Sequence, residues 1–223
     1  MSERNPFSSE EQLAADANLF MLCTSPVKSA FTALPAGYHI RTCRPQELPI
    51  WKAIHFDDVE TARAQEVYMT RYFDTVYAPA GDAFYERCLF LCTDDGDTPI
   101  GTCFAWQAYG HITTIHWYKI RRAYEGQGLG RALLSEVLRR LEPSDYPVYL
   151  HTQPGSYRAI KLYTDFGFAF LSDPVVGYRE NHLPAALGYL KRKMPSKDYD
   201  ALRFASAPED FLSAAKTTEY SQF

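Results

Sequence analysis

No run of about 18 or more apolar residues occurs anywhere in this chain of 223 residues, and a helical membrane span needs about 20. The opening Met1-Ser2-Glu3-Arg4-Asn5-Pro6 lacks a basic start leading into an apolar stretch, so no secretory leader is expected. Cysteine is scarce and odd in number: Cys23, Cys43, Cys88, Cys92 and Cys103 form no C-x-x-C pair. Neither a zinc site nor a disulfide framework is suggested. Buried, reduced thiols in a cytoplasmic protein with no metal are the expectation. An excess of either charge is lacking too, with 23 Lys and Arg against 27 Asp and Glu. A net charge of −4 speaks against a nucleic-acid partner and against attraction to a membrane surface. There is no internal repeat and no low-complexity tract, and an apolar content of 46% indicates a folded globular chain of one main domain.

The most informative residues are glycines. Gly126, Gly128 and Gly130 alternate with Gln127 and Leu129, directly ahead of an apolar-periodic helix in which Leu133, Leu134, Val137, Leu138 and Leu141 share a face. Upstream, Thr113 to Ile120 has the composition of a strand. A strand, a glycine turn and a helix start together offer backbone N–H groups and partial positive charge to a phosphorylated ligand. The spacing G-x-G-x-G is neither the dinucleotide fingerprint nor the nucleoside triphosphate loop. A second segment, Ser156 to Phe168, follows the strand-like Pro147 to Thr152. It places Ala159, Ile160, Tyr163 and Phe166 at helical spacing, with Ser156 at the N-cap and Gly167 at the C′ position.

Both segments resemble motifs of the GCN5-related N-acetyltransferase (GNAT) superfamily. The first is similar to the acyl-CoA pyrophosphate loop Gln/Arg-x-x-Gly-x-Gly/Ala, running from Glu125 through Gly128 to Gly130. The second is similar to Asn-x-x-Ala-x-x-Leu-Tyr-x-x-x-Gly-Phe. Two keyed positions depart: Glu125 stands for Gln or Arg, and Ser156 for Asn. The resemblance implies an α/β GNAT fold, with a central mixed, mostly antiparallel sheet flanked by helices and helical extensions at both ends. The expected division is a helical N-terminal extension over 1–36, the acetyltransferase domain over 37–195 and a helical tail over 196–223. In more detail, a helix is expected from Ser9 to about Leu22, a first strand at Tyr38 to Cys43, and helical pattern through Val59 to Tyr77. A hairpin turns about Asp94 to Asp97, and Ala185 to Met194 reads as a final strand.

The function implied is transfer of an acetyl group from acetyl-CoA, the cosubstrate, to a primary amine that attacks the thioester directly. An alkylammonium with a pKa of about 10.4 costs about 4.6 kcal/mol to deprotonate at pH 7, so a base or a water relay must serve it. In a regular strand Thr114, His116, Tyr118 and Ile120 share one face, and of these His116 titrates usefully near neutrality. The competing reading is a buried, hydrogen-bonded histidine. By the resemblance, Tyr163 protonates the departing thiolate. The pantetheine arm lies against Tyr118 and Ile120, the pyrophosphate is held by N–H groups of Gln127, Gly128, Gly130 and Arg131, and Ser156 touches the cofactor or only caps its helix. The small-molecule or peptide amine acceptor would meet Phe56 to Glu60, where Asp57 and Asp58 attract a cation or simply start a helix. Trp51, Tyr68, Tyr72, Phe73, Tyr77, Phe84 and Tyr85 line a pocket or fill the core. The extensions cover the acceptor site or make a homodimer interface. Glu125 and Ser156 also keep open a non-catalytic CoA-binding or interaction module on the same fold.

Overall fold

The computed structural model describes residues 7–216 and 222. In chain order the elements are α1 (Glu10–Asp16), β1 (Leu19–Cys23), β2 (Tyr38–Thr42), α2 (Leu48–Ile54), α3 (Val59–Ala64), α4 (Glu66–Val76) and α5 (Ala83–Arg87). There follow β3 (Leu89–Thr93), β4 (Pro99–Ala108), β5 (Ile112–Ile120), α6 (Leu129–Arg139), β6 (Val148–Thr152) and α7 (Tyr157–Asp165). The C-terminal part holds β7 (Ala169–Leu171), β8 (Val175–Val176), β9 (Arg179–Glu180), α8 (Leu183–Lys193), α9 (Ser196–Asp200), β10 (Phe204–Ala205) and α10 (Glu209–Ala214). Eight strands form one mixed sheet in the order β10-β7-β1-β6-β5-β4-β3-β2. Pairings β5–β6 and β7–β10 are parallel; β1–β6, β1–β7, β2–β3 and β3–β4 are antiparallel. Helices stand at both ends, as expected. Among the described residues no helix is long and apolar enough to cross a membrane, and all five cysteines are buried free thiols.

The chain divides into two compact units. The first comprises residues 1–30, 107–114 and 143–223. Its centre is β1, whose five residues are all buried. This corrects the helix expected from Ser9 to Leu22: helix α1 stops at Asp16, and Leu19-Phe20-Met21-Leu22-Cys23 is a strand between β6 and β7. A strand covered on both faces reads as a continuous apolar run rather than an alternating one, so its periodicity does not distinguish it from a buried helix. The strand expected over Ala185 to Met194 is helix α8. Pro184 occupies its first turn, where a missing N–H costs nothing, and Leu183, Ala186 and Leu190 bury one face. The tail is only partly helical, since Phe204–Ala205 pairs in parallel with β7; residues 217–221 and 223 lie outside the described residues. Tyr149 stacks on Phe211 of α10 at 3.8 Å between ring centroids, which ties the tail to β6.

Helix α7 ends as its sequence predicts. Gly167 takes φ +97°, its N–H donates to the Thr164 carbonyl, and the Phe168 N–H donates to the Tyr163 carbonyl. Those two bonds make a Schellman motif, which a Cβ-bearing residue would adopt only under strain.

The second unit comprises residues 31–106 and 115–142. Trp51, Tyr77, Phe84, Phe90 and Phe104 are each fully buried in its aromatic core, so four residues anticipated as pocket lining or core (Trp51, Phe73, Tyr77, Phe84) are core. Tyr72 and Tyr85 are half-buried against it, and Tyr68 is exposed. Helix α6 buries Leu129, Leu133, Leu134, Val137 and Leu138, each worth about 1.5–3 kcal/mol relative to exposure. Ser135 accepts the Thr32 N–H at 3.1 Å and Arg139 donates to the Thr32 carbonyl at 3.0 Å. At the edge strand β2, Arg41 holds Glu47 bidentately at 2.7 and 2.8 Å and Asp97 at 2.7 Å. His39 bridges Asp94 at 2.8 Å and Asp97 at 2.9 Å. Cys92 lies beside His39 and Asp97. Burial pushes its thiol up to about 12, and Asp97 is already paired with Arg41 and Arg44. The cluster is an ion-pair network.

Candidate active site

The glycine turn has the backbone geometry that an anion would need. Gly126 and Gly128 have φ of +80° and +79°, a region that side chains other than glycine enter at a cost of about 1–2 kcal/mol. Gly128 is the N-cap of α6, and no side chain caps that end. The first N–H groups of the helix therefore lack the intrahelical partners that later turns have. A Cβ built on Gly126 or Gly128 would meet nothing within 4 Å, so the turn is open on the side where a ligand would sit. Gly130 differs: a Cβ there would stand 2.1 Å from the Tyr118 hydroxyl oxygen and 3.5 Å from Ile120 Cγ1. Tyr118 and Ile120 are thus packed directly beneath the helix start. Gln127 accepts from the Tyr38 hydroxyl at 3.0 Å, a contact from β2 that no local motif announces. These features fit the pyrophosphate of an acyl-CoA: positive-φ glycines, an uncapped helix start and open space. Glu125 is exposed, and Arg131, half-buried, stands in the first turn.

Strand β5 departs from regular alternation. Trp117 has φ +52°, which a bulky residue adopts only when its surroundings impose it. His116 and Trp117 would point to opposite faces of a regular strand. Here His116 Nδ1 lies 2.5 Å from the Tyr77 hydroxyl oxygen, and Trp117 Nε1 donates to the same oxygen at 2.9 Å. The expectation that Thr114, His116, Tyr118 and Ile120 share one face is therefore corrected. His116 turns with Trp117 toward Tyr77 and the aromatic core, while Tyr118 and Ile120 turn to α6. His116 is 3% exposed. In the tautomer whose Nδ1–H donates to Tyr77, Nε2 carries the lone pair that can take a proton from another group. Burial pushes the Tyr77 hydroxyl well above the usual tyrosine range, the nearby Tyr72 adds to this, and the Trp117 N–H opposes it. Tyr77 therefore stays protonated at neutral pH.

Asp57 and Asp58 have structural partners. Lys119 Nζ lies 2.9 Å from Asp57, which also accepts the Arg122 backbone N–H at 3.3 Å. Partial burial would raise the Asp57 carboxyl, but Lys119 and Arg122 hold it below the usual carboxylate range. Asp58 caps α3 by accepting the Thr61 N–H at 2.7 Å. Both border a groove of about 1040 Å³ lined also by Lys52, Phe56, Arg63, Glu66, Arg121, Arg122 and Tyr124.

In the first unit, Ser156 occupies the N-cap of α7, yet its side chain makes no capping bond. That corrects the capping role while leaving the hydroxyl available for another. Gly155 beside it is pressed by α1, since a Cβ there would stand 2.8 Å from the Ala14 carbonyl oxygen. Tyr163 is 5% exposed on the buried face of α7, its ring 5.8 Å from that of Phe168.

The profile of the acetyltransferase (GNAT) family matches residues 51–168. Among solved structures, a tandem GNAT protein from the clavulanic acid biosynthesis pathway, in its form without AcCoA, is 18% identical with a TM-score of 0.51, over 68% of this chain and 49% of that one. A GCN5-related N-acetyltransferase from Sphaerobacter thermophilus is 22% identical over 60% of this chain and 42% of its own, at a TM-score of 0.43. An acetyltransferase of the GNAT family from Colwellia psychrerythraea is 11% identical over 69% of this chain and 52% of its own, at 0.48. The chain thus spans about half the length of these solved relatives. No curated protein matches the sequence.

Proposed function

Because the chain belongs to the acetyltransferase (GNAT) family, we propose that it is a cytoplasmic N-acetyltransferase that uses acetyl-CoA to acetylate a primary amine. The observation that carries this reading is the start of α6: an uncapped helix end behind two positive-φ glycines, with open space where a Cβ would project. The N–H groups of Gln127, Gly128, Gly130 and Arg131 would hold the pyrophosphate, which is the charge such a helix end favours. Tyr118 and Ile120 would flank the pantetheine arm, and the uncommitted Ser156 hydroxyl would touch it.

In the reaction, the amine nitrogen forms a bond to the thioester carbonyl carbon, the carbon–sulfur bond breaks, and the thiolate leaves with a proton. Tyr163 supplies that proton, and the second proton that the nitrogen sheds as the amide forms restores the Tyr163 hydroxyl. The ammonium proton of the acceptor passes to His116 at Nε2, directly or through water, with Nδ1 held by Tyr77. Loss of a general acid costs roughly 10²–10⁴ in rate, and the lower end fits a thiolate, which leaves readily.

The test is thiol release from acetyl-CoA over a panel of primary amines, for the wild type and Tyr163→Phe. Turnover that falls about 10²-fold in the variant, with acetyl-CoA affinity unchanged, supports the reading. Binding of acetyl-CoA without thiol release for any amine would replace it with a CoA-binding interaction module.

A further inference from the structure

The groove beside Asp57 carries more positive than negative charge that is free to act. Four cationic side chains line it, Lys52, Arg63, Arg121 and Arg122, against three carboxylates, Asp57, Asp58 and Glu66. Asp57 is committed to Lys119, which is not among the lining residues, and Asp58 to the first turn of α3. Among the described residues, the guanidinium groups of Arg63, Arg121 and Arg122 make no hydrogen bond or salt bridge. A guanidinium presents a planar fork of donors that matches a carboxylate or a phosphate. Three such groups from two elements, facing one groove, leave an anion-shaped requirement in whatever binds there.

Size and floor decide between the two sources of that anion. A volume of about 1040 Å³ is at the upper end of the roughly 300–1,000 Å³ typical of small-molecule sites. That is far more than one phosphate group of a cofactor fills. Pro49, Ala53, Phe56, Val59 and Ala62 give the groove an apolar floor. Its lining ends at Tyr124, so none of Gly126, Gln127, Gly128 and Gly130 belongs to it. The anion cradle and the groove are separate features of one unit.

Resting on the acetyltransferase reading above, we propose that this groove selects the acceptor, and that the acceptor is a zwitterionic, amino-acid-like amine. Its carboxylate is held by Arg63, Arg121 and Arg122. Glu66 supplies the opposite sign for its ammonium, and its side chain lies on Phe56. The acids at Asp57 and Asp58, taken alone, suggested a simple cation; the pairing of Asp57 with Lys119 changes that balance.

Matched pairs of amino acid and decarboxylated amine test it: phenylalanine with phenethylamine, tyrosine with tyramine, lysine with cadaverine, arginine with agmatine. Two readouts are used, thiol release from acetyl-CoA and saturation-transfer NMR on the full chain loaded with CoA, the second needing no turnover. In at least one pair the amino acid should be favoured tenfold or more in kcat/KM, and should bind by NMR where its partner does not. Arg63→Gln combined with Arg122→Gln should raise its KM tenfold or more with acetyl-CoA affinity unchanged, and Arg63→Lys should retain most of the affinity. The proposal is overturned if the decarboxylated member wins in every pair, or if no amino acid binds by NMR. It is overturned equally if the double variant weakens acetyl-CoA by the factor seen on replacing it with 3′-dephospho-acetyl-CoA, because the anion is then the cofactor's own phosphate. Failure of the acetyltransferase reading looks different: acetyl-CoA does not bind, while amino acids still bind in the groove.

Discussion

His116 and Trp117 are neighbours on β5, and both hydrogen-bond the Tyr77 hydroxyl, at 2.5 and 2.9 Å. The left-handed backbone at Trp117 makes this convergence geometrically available, and the two hydrogen bonds offset its cost. Tyr77→Phe should therefore destabilise the protein by about 1–3 kcal/mol, the cost of burying polar groups without their partner. It should also move the acidic limb of the kcat/KM pH profile, since His116 loses what holds its Nδ1. Urea unfolding and the pH profile together check this. A variant as stable as the wild type, with an unmoved profile, would show that the hub neither holds the fold nor tunes the site.

Two glycines in the same turn should fail for different reasons. Gly130→Ala drives a methyl toward the Tyr118 hydroxyl, 2.1 Å away before relaxation, and should cost about 1–3 kcal/mol as overpacking does. Adding Tyr118→Phe should recover part of that loss. Gly128→Ala meets no atom and is strained only by its φ of +79°, by about 1–2 kcal/mol. Its larger effect should fall on acetyl-CoA affinity. A double-mutant cycle in which Tyr118→Phe brings no recovery would argue against the close packing of Tyr118 beneath α6.

Ser156→Ala separates capping from ligand contact. A serine that caps its helix is worth about 1 kcal/mol, but this one makes no capping bond. The expected result is a stability change below about 0.5 kcal/mol and a raised KM for acetyl-CoA. A loss of stability near the full capping value with KM unchanged would reverse the assignment.

Acid should weaken the fold through two histidines. Burial pushes His55 down to about 3, with Lys119 adding to it, and burial pushes His151 down to about 3, with Arg179 adding to it. Both folded values lie below the ordinary 6.5, so the unfolded chain binds protons first. Their contribution is full above pH 6.5 and is lost progressively as pH falls toward 3. His39 runs the other way: Asp94 and then Asp97 raise it, so its contribution is present below 6.5 and lost as pH rises through the folded value. Its ring is 39% exposed, and solvent screening keeps that effect small. Melting temperature against pH should fall steeply from 6.5 toward 4, and His151→Gln should reduce proton uptake on unfolding near pH 5 by about one. An unchanged slope in that variant would contradict a neutral, half-buried His151.

What the sequence shows here is what short-range chemistry encodes. The glycine turn, the α6 face from Leu133 to Leu138, and the α7 ending at Gly167 each follow from residues a few positions apart; Leu141, expected on the same face, lies beyond the end of α6 at Arg139. Leu19 to Cys23 was illegible because an all-apolar pentapeptide carries no period, and only its two strand neighbours decide its form. Ala185 to Met194 misled for the opposite reason: its helical signal begins earlier, at Leu183-Pro184. The positive φ at Trp117 was hidden because parity along β5 presumes a regular strand. Tyr38 beneath Gln127, Lys119 on Asp57 and Tyr77 on His116 are separated by 89, 62 and 39 positions, and no local pattern signals such pairings.

The most direct measurement is calorimetric titration of the full chain with acetyl-CoA, beside Gly128→Glu, which places a carboxylate at the uncapped helix start. Micromolar binding by the wild type, abolished in a variant that still melts cooperatively, is the result expected of a pyrophosphate cradle at α6. Equal binding by both proteins would place the cofactor elsewhere, and no binding by the wild type would contradict the cradle itself.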